Sequence, residues 1–330
     1  MQRVEASTAV RHGFGELEAY RRELTAHCYR MLGSPFEAED AVQDTLLRAW
    51  RGLDRYEGRA ALRSWLYKIA TNVCLDMLKG REKRARPVDM GPAATPDSAG
   101  RTLPEATWLE PLPDTAVAAA APASDPADLA VSRETLRLAF VAALQHLPPR
   151  QRAALLLCEV LRWKASEVAE LLETSVASVN SALQRARATL DASDLSASDP
   201  EPALERPDRE MLARYVEAFE RYDMDALTAL IHEDATQSMP PYEMWLHGRA
   251  NLIEFWLGPG APCRGSRVLP AGSANGLPAF GQYRRDPNGG YSPWALQVLD
   301  IRDGRVADFT FFLSAERLFP LFGLPLHLDA

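Results

Sequence analysis

Apolar positions recur at steps of three and four along most of the chain as far as Leu190, whereas from Ser266 onward they alternate with polar ones. The first rhythm predicts helices and the second predicts strands. A helix is expected from about Phe14 to Met31, with Gly33, Ser34 and Pro35 ending it. Another is expected from Phe36 to Tyr56, with Val42, Leu46, Ala49 and Leu53 as its apolar stripe. A loop at Glu57-Gly58 leads into a third, Leu62 to Lys79, whose inner side holds Leu62, Trp65, Leu66, Ile69, Val73 and Met77. Periodicity returns from Arg133 to Leu147, breaks at Pro148-Pro149 and resumes from Arg150 to Leu161. A short run, Glu167 to Leu172, then precedes the stretch Val176 to Leu190.

That last stretch organises the reading. Val176, Val179, Leu183, Ala186 and Leu190 share one helical face, and Ser175 sits where its hydroxyl would cap the first turn. The other face carries Ser178, Ser181, Gln184 and Arg185 and no acid. Two short helices, a tight turn and a polar, basic outer face describe a helix-turn-helix, whose second helix lies in the major groove of DNA. An ordinary helical hairpin with a solvated face would show the same pattern.

Between the helical blocks, residues 87–132 are rich in Pro and Ala, with one short apolar anchor at Trp108-Leu109. A stretch this long without periodicity predicts a linker. A second break spans 191–207. Beyond it, Arg209 to Tyr222, Met224 to Ile231 and Arg249 to Leu257 read as helices. Ala235–Met239, Arg267–Ala271, Pro278–Arg284, Trp294–Arg302 and Arg305–Leu313 read as strands, with Asp303-Gly304 as a hairpin turn. Helices followed by an antiparallel sheet predict an α+β domain. The expected division is 1–86, a linker over 87–132, 133–192, a linker over 193–207, and 208–330.

The chain has 330 residues and a formal net charge of −8, so a uniformly basic coat for nucleic acid is excluded. The charge is unevenly spread, however. From Arg48 to Arg86 there are eleven Lys/Arg against four Asp/Glu, whereas Pro87 to Ser132 holds one Arg and seven acids. Basic blocks inside an acidic average suit a protein that touches DNA at chosen places. The basic helix at 62–79 and its tail also carry aromatic neighbours, Tyr56, Trp65 and Tyr67, which suits phosphate contact with base stacking. Trp65 by itself reads more readily as core. The four cysteines, Cys28, Cys74, Cys158 and Cys263, form no close pair, so neither a metal site nor a disulfide framework is expected, and only Cys263 is expected to be exposed. No apolar run reaches the roughly 20 residues of a membrane span, and no signal peptide is evident, which points to the cytoplasm.

In order, EAEDAVQDTLLRAW, SWLYKIATNVCLDMLK, LQHLPPRQRAALLL and the helix-turn-helix resemble the extracytoplasmic function (ECF) sigma factors of the sigma-70 family. The WLEP-containing linker and the tail segments MPPYEMWLHGRA, PAFGQYR, WALQVLDI and FPLFGLP resemble the ECF subgroup with a fused SnoaL-like domain. The resemblance implies a multidomain chain. Two all-α domains, a region-two bundle and a region-four helix-turn-helix, would precede a cone-shaped α+β domain of the ketosteroid-isomerase type. It also implies binding to core RNA polymerase through Asp40, Gln43, Asp44 and Arg48. Reading and melting of the minus-10 promoter element would fall to Tyr56, Arg63, Trp65, Lys68 and Asn72, with Lys79, Arg81, Lys83 and Arg84 on phosphates and the Tyr56–Arg63 loop beside a flipped base. The minus-35 element would meet Ser178, Asn180, Ser181, Gln184 and Arg185, with Arg187 on the backbone. Asn180 stands where many relatives have Arg; Asn prefers adenine edges and Arg prefers guanine, so a different minus-35 sequence is implied.

For the tail, the candidate cavity residues are His232, Asp234, Glu243, Trp245, His247 and Gln282. An acid–base catalyst would need a carboxylate or imidazole in an apolar pocket, and His232 and Asp234 are the candidates. They also read as the end of a helix and a turn. SnoaL-like folds host enzymes and non-catalytic domains alike, and the expectation is a regulatory, non-enzymatic domain that packs on the sigma domains or takes a small-molecule ligand. No cofactor, metal, membrane partner or anti-sigma protein is implied. The alternative is a helix-turn-helix regulator fused to a small-molecule enzyme, which would leave the acidic and basic helices before residue 87 without a use.

Overall fold

A computed structural model describes residues 15–56, 61–98, 100–117, 135–192 and 209–329. The chain forms two compact units, one made of Met1–Lys83 with Glu110–Pro200 and the other of Arg84–Leu109 with Glu201–Ala330.

The first unit is helical. After a helical turn at 15–18 come α1 (Arg21–Leu32), α2 (Pro35–Gly52) and α3 (Leu62–Met77), which pack on one another. Leu24, Cys28 and Met31 of α1 meet a core that also holds Val42, Leu46, Leu66 and Val73, all nearly or fully buried. Each large apolar side chain removed from water stabilises the bundle by about 1.5–3 kcal/mol. The tripeptide expected to end α1 does that and also starts α2. Gly33 caps α1 in the left-handed conformation (φ 74°), Ser34 Oγ accepts the Glu37 amide at 3.4 Å, and Pro35 occupies the first helical position. Proline fits there because its missing N–H would have had no partner.

The helices α4 (Leu138–Gln145) and α5 (Pro149–Leu155) are separated by the expected proline break, with Pro149 again opening a helix. α5 continues into a wider turn over Leu156–Val160, where the Leu161 amide reaches back to the Leu156 carbonyl at 3.0 Å. Then come α6 (Ala165–Leu171) and α7 (Val176–Ala192). α5 and α6 pack on α7, while α1 packs on α4 and α5, so both helical blocks share this unit. Buried Arg30 joins them as well, its Nη2 donating to Thr135 Oγ1 at 2.9 Å.

The second unit is α+β. The helices α8 (Arg209–Arg221) and α9 (Met224–Leu230) lead into β1 (Ile231–Ser238), β2 (Trp245–His247) and α10 (Arg249–Leu257). β3 (Arg267–Ala274), β4 (Leu277–Arg285), β5 (Tyr291–Arg302) and β6 (Arg305–Phe312) follow, and the short α11 (Ala315–Leu318) comes last. The sheet order is β2-β1-β6-β5-β4-β3. Asp303 and Gly304, both at positive φ (51° and 69°), close the expected two-residue hairpin between the paired Arg302 and Arg305. Two features differ from expectation. β1 runs parallel to β6, so the sheet is mixed, and β2 is a strand that its three residues are too short to reveal by alternation. Met211, Tyr215 and Phe219 of α8 pack with Leu299, Phe309 and Trp256 in one apolar core.

The stretch expected as a linker is largely built into these units. In the second, the Ala94 amide donates to Trp245 O at 2.7 Å and the Trp245 indole N–H to Gly91 O at 2.8 Å. The Leu103 amide donates to Pro241 O and the Glu243 amide to Arg101 O, both at 2.9 Å. Arg101 pairs with Glu243 at 3.1 Å and Arg317 with Glu105 at 2.6 Å. The segment thus lies along the β2 edge of the sheet, whose open backbone groups need partners. In the first unit, buried Glu110 takes the Ser34 hydroxyl, and its backbone carbonyl takes Tyr29 Oη–H at 2.9 Å. Residues 118–134 lie outside the described residues. Composition favoured a linker here because these contacts are mostly backbone hydrogen bonds, which leave no periodic side-chain pattern.

Candidate nucleic-acid interface and tail cavity

The α6–α7 turn is short because Glu173 takes the left-handed conformation (φ 52°), a position that glycine adopts at lower cost. Ser175 then caps α7, its Oγ accepting the Ser178 amide at 3.1 Å. Val179, Leu183 and Ala186 are buried and hold the helix down, whereas Val176 stays 43% exposed. The face opposite is open: Ser178, Asn180, Gln184, Arg185 and Arg187 are exposed and Ser181 is half-buried. Arg185 Nη1 donates to Ser181 Oγ at 2.8 Å, a contact a base or phosphate could replace. Arg187 is held by Glu159 instead.

On α3, Trp65 is half-buried and stacks on Tyr56, ring centroids 5.0 Å apart and planes 29° from parallel. Gly52 leaves the room, since a Cβ there would sit 3.2 Å from the Trp65 ring. Trp65 is therefore half core and half surface. Arg63 pairs with Glu23 at 2.8 Å and lies over the Tyr67 ring, and Asn72 is exposed. Lys68 pairs with Glu173 of the α6–α7 turn at 3.5 Å, and Tyr67 meets Trp163 edge-on at 5.6 Å. Residues 57–60, inside the loop expected beside a flipped base, lie outside the described residues.

The basic run after α3 is less free than its sequence implies. Lys79 pairs with Asp76 at 2.7 Å, Arg81 pairs with Glu37, and Lys83 donates to His146 O at 3.3 Å. Those three remain exposed. Arg84 departs from the expectation of a phosphate contact: it is half-buried and donates to the carbonyls of Trp108 at 2.5 Å and Glu105 at 3.3 Å. A guanidinium fork suits paired carbonyls as well as phosphates, and the sequence does not say which it meets.

On α2, Asp40 and Gln43 are exposed, Asp44 is half-buried, and Arg48 pairs with Asp44 at 2.8 Å. The same outer side shows two large apolar groups that sequence reasoning missed, Leu47 at 48% and Trp50 at 43% exposure. The signal was available: Leu47 and Trp50 lie one step beyond the buried stripe of Val42, Leu46 and Ala49. Apolar residues outside the stripe a helix needs for its own core mark a docking face.

In the second unit a cleft enclosing about 420 Å³, its mouth included, is lined by Phe219, Tyr222, Met224, Gln237, Met239, Phe255, Trp256, Gly260, Cys263, Gln282, Trp294, Phe311 and Leu313. Of the six residues expected in a cavity, Gln282 lines this cleft and the other five lie outside its lining. His232 Nδ1 accepts the amide of Asp234, and both belong to an irregular start of β1 outside the lining of the cleft. Glu243 and Trp245 are committed to Arg101 and Gly91, and His247 is exposed at the sheet edge. These residues were grouped by polarity, whereas the strand's facing put the amides inside. No carboxylate or imidazole is among the lining residues. Cys263, expected to be exposed, is half-buried there, and burial pushes its thiol pKa up. Gln282 is tied down: Tyr215 Oη–H donates to Gln297 Oε1 (2.8 Å), Gln297 Nε2 to Gln282 Oε1 (3.0 Å), and Gln282 Nε2 to Ser266 Oγ (3.1 Å). Among the described residues no cluster of His, Cys, Asp and Glu could hold a metal ion, and no helix is long and apolar enough to cross a membrane.

Three family models match the chain: Sigma-70 region 2 over residues 17–84, Sigma-70 region 4 over 137–190, and a SnoaL-like domain over 212–309. The ECF RNA polymerase sigma factor SigG of Mycobacterium tuberculosis is 47% identical over 93% of this chain and 82% of its own length. SigJ of the same organism is 30% identical over 88% of each. The crystal structure of SigJ superposes with a TM-score of 0.58 at 24% identity, over 94% of this chain and 99% of that one, which shows a shared fold.

Proposed function

The chain belongs to the ECF sigma factors of the sigma-70 family, carrying a SnoaL-like domain, and from that premise we propose how its surfaces divide the work of promoter recognition and transcription initiation. The outer side of α2, with Asp40, Gln43, Asp44 and Arg48 joined by Leu47 and Trp50, docks on core RNA polymerase. Opposite charges steer the encounter, and the two apolar groups supply the burial that holds it. Tyr56, Arg63, Trp65, Lys68 and Asn72 face the minus-10 element, with Lys79, Arg81 and Lys83 on phosphates. α7 reads the minus-35 element through Ser178, Asn180, Ser181, Gln184 and Arg185. These steps belong in the cytoplasm, where polymerase and promoter meet.

The observation that carries this reading is the outer face of α7, a buried apolar stripe fixing a helix whose polar side is unobstructed. The tail is a regulatory domain and not an enzyme. Its cleft is lined by no carboxylate or imidazole, which supports binding over proton transfer.

Run-off transcription with purified core polymerase on a randomised promoter library tests the proposal. The full chain is expected to select a two-part promoter, and removal of residues 208–330 is expected to change the output. Promoter binding that is indifferent to core polymerase would favour a plain helix-turn-helix regulator. Unchanged transcription and polymerase affinity without 208–330 would remove the regulatory role.

A further inference from the structure

Residues 255–299 are basic within an otherwise acidic tail. They hold four arginines, Arg264, Arg267, Arg284 and Arg285, against one acid, Asp286. The fold gathers all four around the turn at 262–267. Arg264 lies in that turn and Arg267 opens β3 at its end. Arg284 Nε donates to the Pro262 carbonyl of the same turn at 3.0 Å. Gly265, at φ 78°, leaves room for Arg285, whose Nε would lie 3.4 Å from a Cβ there. The turn is fastened from within: the Arg264 amide donates to Ala261 O at 3.0 Å, and Ser266 gives its amide (3.1 Å) and its hydroxyl (2.7 Å) to Cys263 O.

Gathering like charges is unfavourable unless opposite charge answers them. Three of the four rest on rings instead: Arg264 over Tyr222 at 5.1 Å, Arg284 over Trp294 at 3.8 Å and Arg285 over Tyr291 at 5.8 Å. Among the described residues, Glu220 is the one carboxylate paired with the group, 3.6 Å from Arg267. Asp286 is engaged by the Ser292 hydroxyl and the Asn288 amide. A guanidinium laid flat on a ring keeps its in-plane N–H groups for an outside acceptor, and its fork matches a phosphate. Arg264, Arg267 and Arg285 are exposed and Arg284 is half-buried. None of the four lines the cleft, so they are not part of its wall.

A sigma factor works on a partner that answers such a patch. Duplex DNA carries one negative charge per about 1.7 Å of its axis, beyond the recognised promoter elements as well as within them. We infer that the arginines around the 262–267 turn form a further DNA contact, a sequence-blind one, in which the second unit grips the phosphate backbone of promoter duplex outside the minus-10 and minus-35 elements. An acidic protein fits less well. A protein interface is anchored by large apolar groups at its centre, and the exposed ring here, Trp294, already carries Arg284 on its face. The contact adds affinity without specificity, and it is strongest when polymerase already holds the chain near the duplex.

The test uses holoenzyme reconstituted from the full chain and core polymerase, with a fluorescent promoter duplex carrying random flanks, titrated over a range of potassium chloride. In the triple variant Arg264→Gln, Arg284→Gln, Arg285→Gln, the slope of log affinity against log salt should flatten by about two to three, since each lost phosphate contact removes about 0.9. The bases selected at the two elements should stay the same. Trimming the duplex to those elements should erase the difference between the variant and the unaltered chain. Arg285→Glu, a single change at an exposed position, should flatten the slope by about one even where the triple variant folds poorly. Arg302→Gln with Arg305→Gln removes two exposed arginines at the β5–β6 hairpin of the same unit and should leave the slope unmoved. An unchanged slope in the triple variant and in Arg285→Glu, or an equal flattening in the hairpin variant, overturns the inference. So does a loss of affinity for core polymerase with the salt slope unchanged, which would make the patch a protein contact. An unaltered holoenzyme that selects no promoter would sink the promoter reading itself, and this inference with it.

Discussion

The guanidinium of Arg152, in α5, donates to the backbone carbonyl of Met31 at the end of α1, across 121 positions of sequence. The same side chain donates to Gln145 Oε1 at 2.7 Å and to the carbonyls of Gln145 and Leu147, each at 3.2 Å. It is 2% exposed, and its Nε is the one buried side-chain nitrogen or oxygen without a partner among the described residues. Burial lowers its pKa to about 10, which still leaves it cationic at neutral pH. One cation thus ties the helical block before the linker stretch to the block after it, through carbonyls alone.

Arg152→Met tests the worth of that tie. The methionine fills the space but leaves carbonyl oxygens unsatisfied in an apolar setting. Losing a buried charged hydrogen-bond hub costs about 3 kcal/mol, less what is regained by no longer burying a charge. A net loss of roughly 1–3 kcal/mol is expected, read as a lower urea midpoint with an unchanged slope.

His27 gives the first unit an acid limit. It is buried between α1 and α3, Nε2 3.0 Å from Thr71 Oγ1, and burial, helped by nearby Arg30, drops its pKa from 6.5 to about 3. The folded chain therefore refuses a proton that the unfolded chain accepts. The stability from neutral His27 is complete above about pH 6.5 and is lost as pH falls toward 3. The slope should be about 1.4 kcal/mol per pH unit in that window. Urea midpoints between pH 7 and 4 check it, and His27→Gln should flatten the decline.

Leu47 and Trp50 stand outside the buried stripe of α2, on its exposed side. Being exposed, they can be truncated without opening the core. Trp50→Ala should weaken core polymerase binding by roughly tenfold or more while leaving the thermal midpoint unmoved. Equal affinity for polymerase would place the docking surface elsewhere.

Asn180 is exposed and lies on the outer face of α7. Asn180→Arg should shift the preferred minus-35 base at one position from adenine toward guanine, a change of about 1–3 kcal/mol in discrimination. Sequencing the promoters selected from a random library shows the shift or its absence.

Gly100 sits against Met244, and a Cβ there would lie 2.6 Å from Met244 Cγ. Gly100→Ala should therefore lift the neighbouring segment off the β2 edge. Limited proteolysis should cut between residues 91 and 105 roughly ten times faster than in the unaltered chain, tracking the open population.

Helix boundaries were readable because their signals are local. Ser175, Pro149 and the Asp303-Gly304 turn act within a few residues of themselves, and each stands where the sequence placed it. What the sequence hid depends on partners far along the chain. β2 exists because it pairs with β1 on one side and receives Ala94 on the other. Arg84 looked like a phosphate ligand until its carbonyl partners were in place. The cleft inverted the usual clue: ionisable residues drew attention to His232 and Asp234, while the groups facing the interior were Gln237 and Gln282, which carry no charge to advertise them.

The strip Arg84–Leu109 means that the SnoaL-like fold of this chain is not a cassette at the end of a host. It is completed by residues donated from the middle of the polypeptide. Exchanging tails between relatives by joining them after residue 207 would bring in a sheet whose edge no longer recognises the strip it receives. A chimera that also carries the donor's own 84–109 should fold where the simple exchange precipitates, so the two stretches behave as a single heritable part.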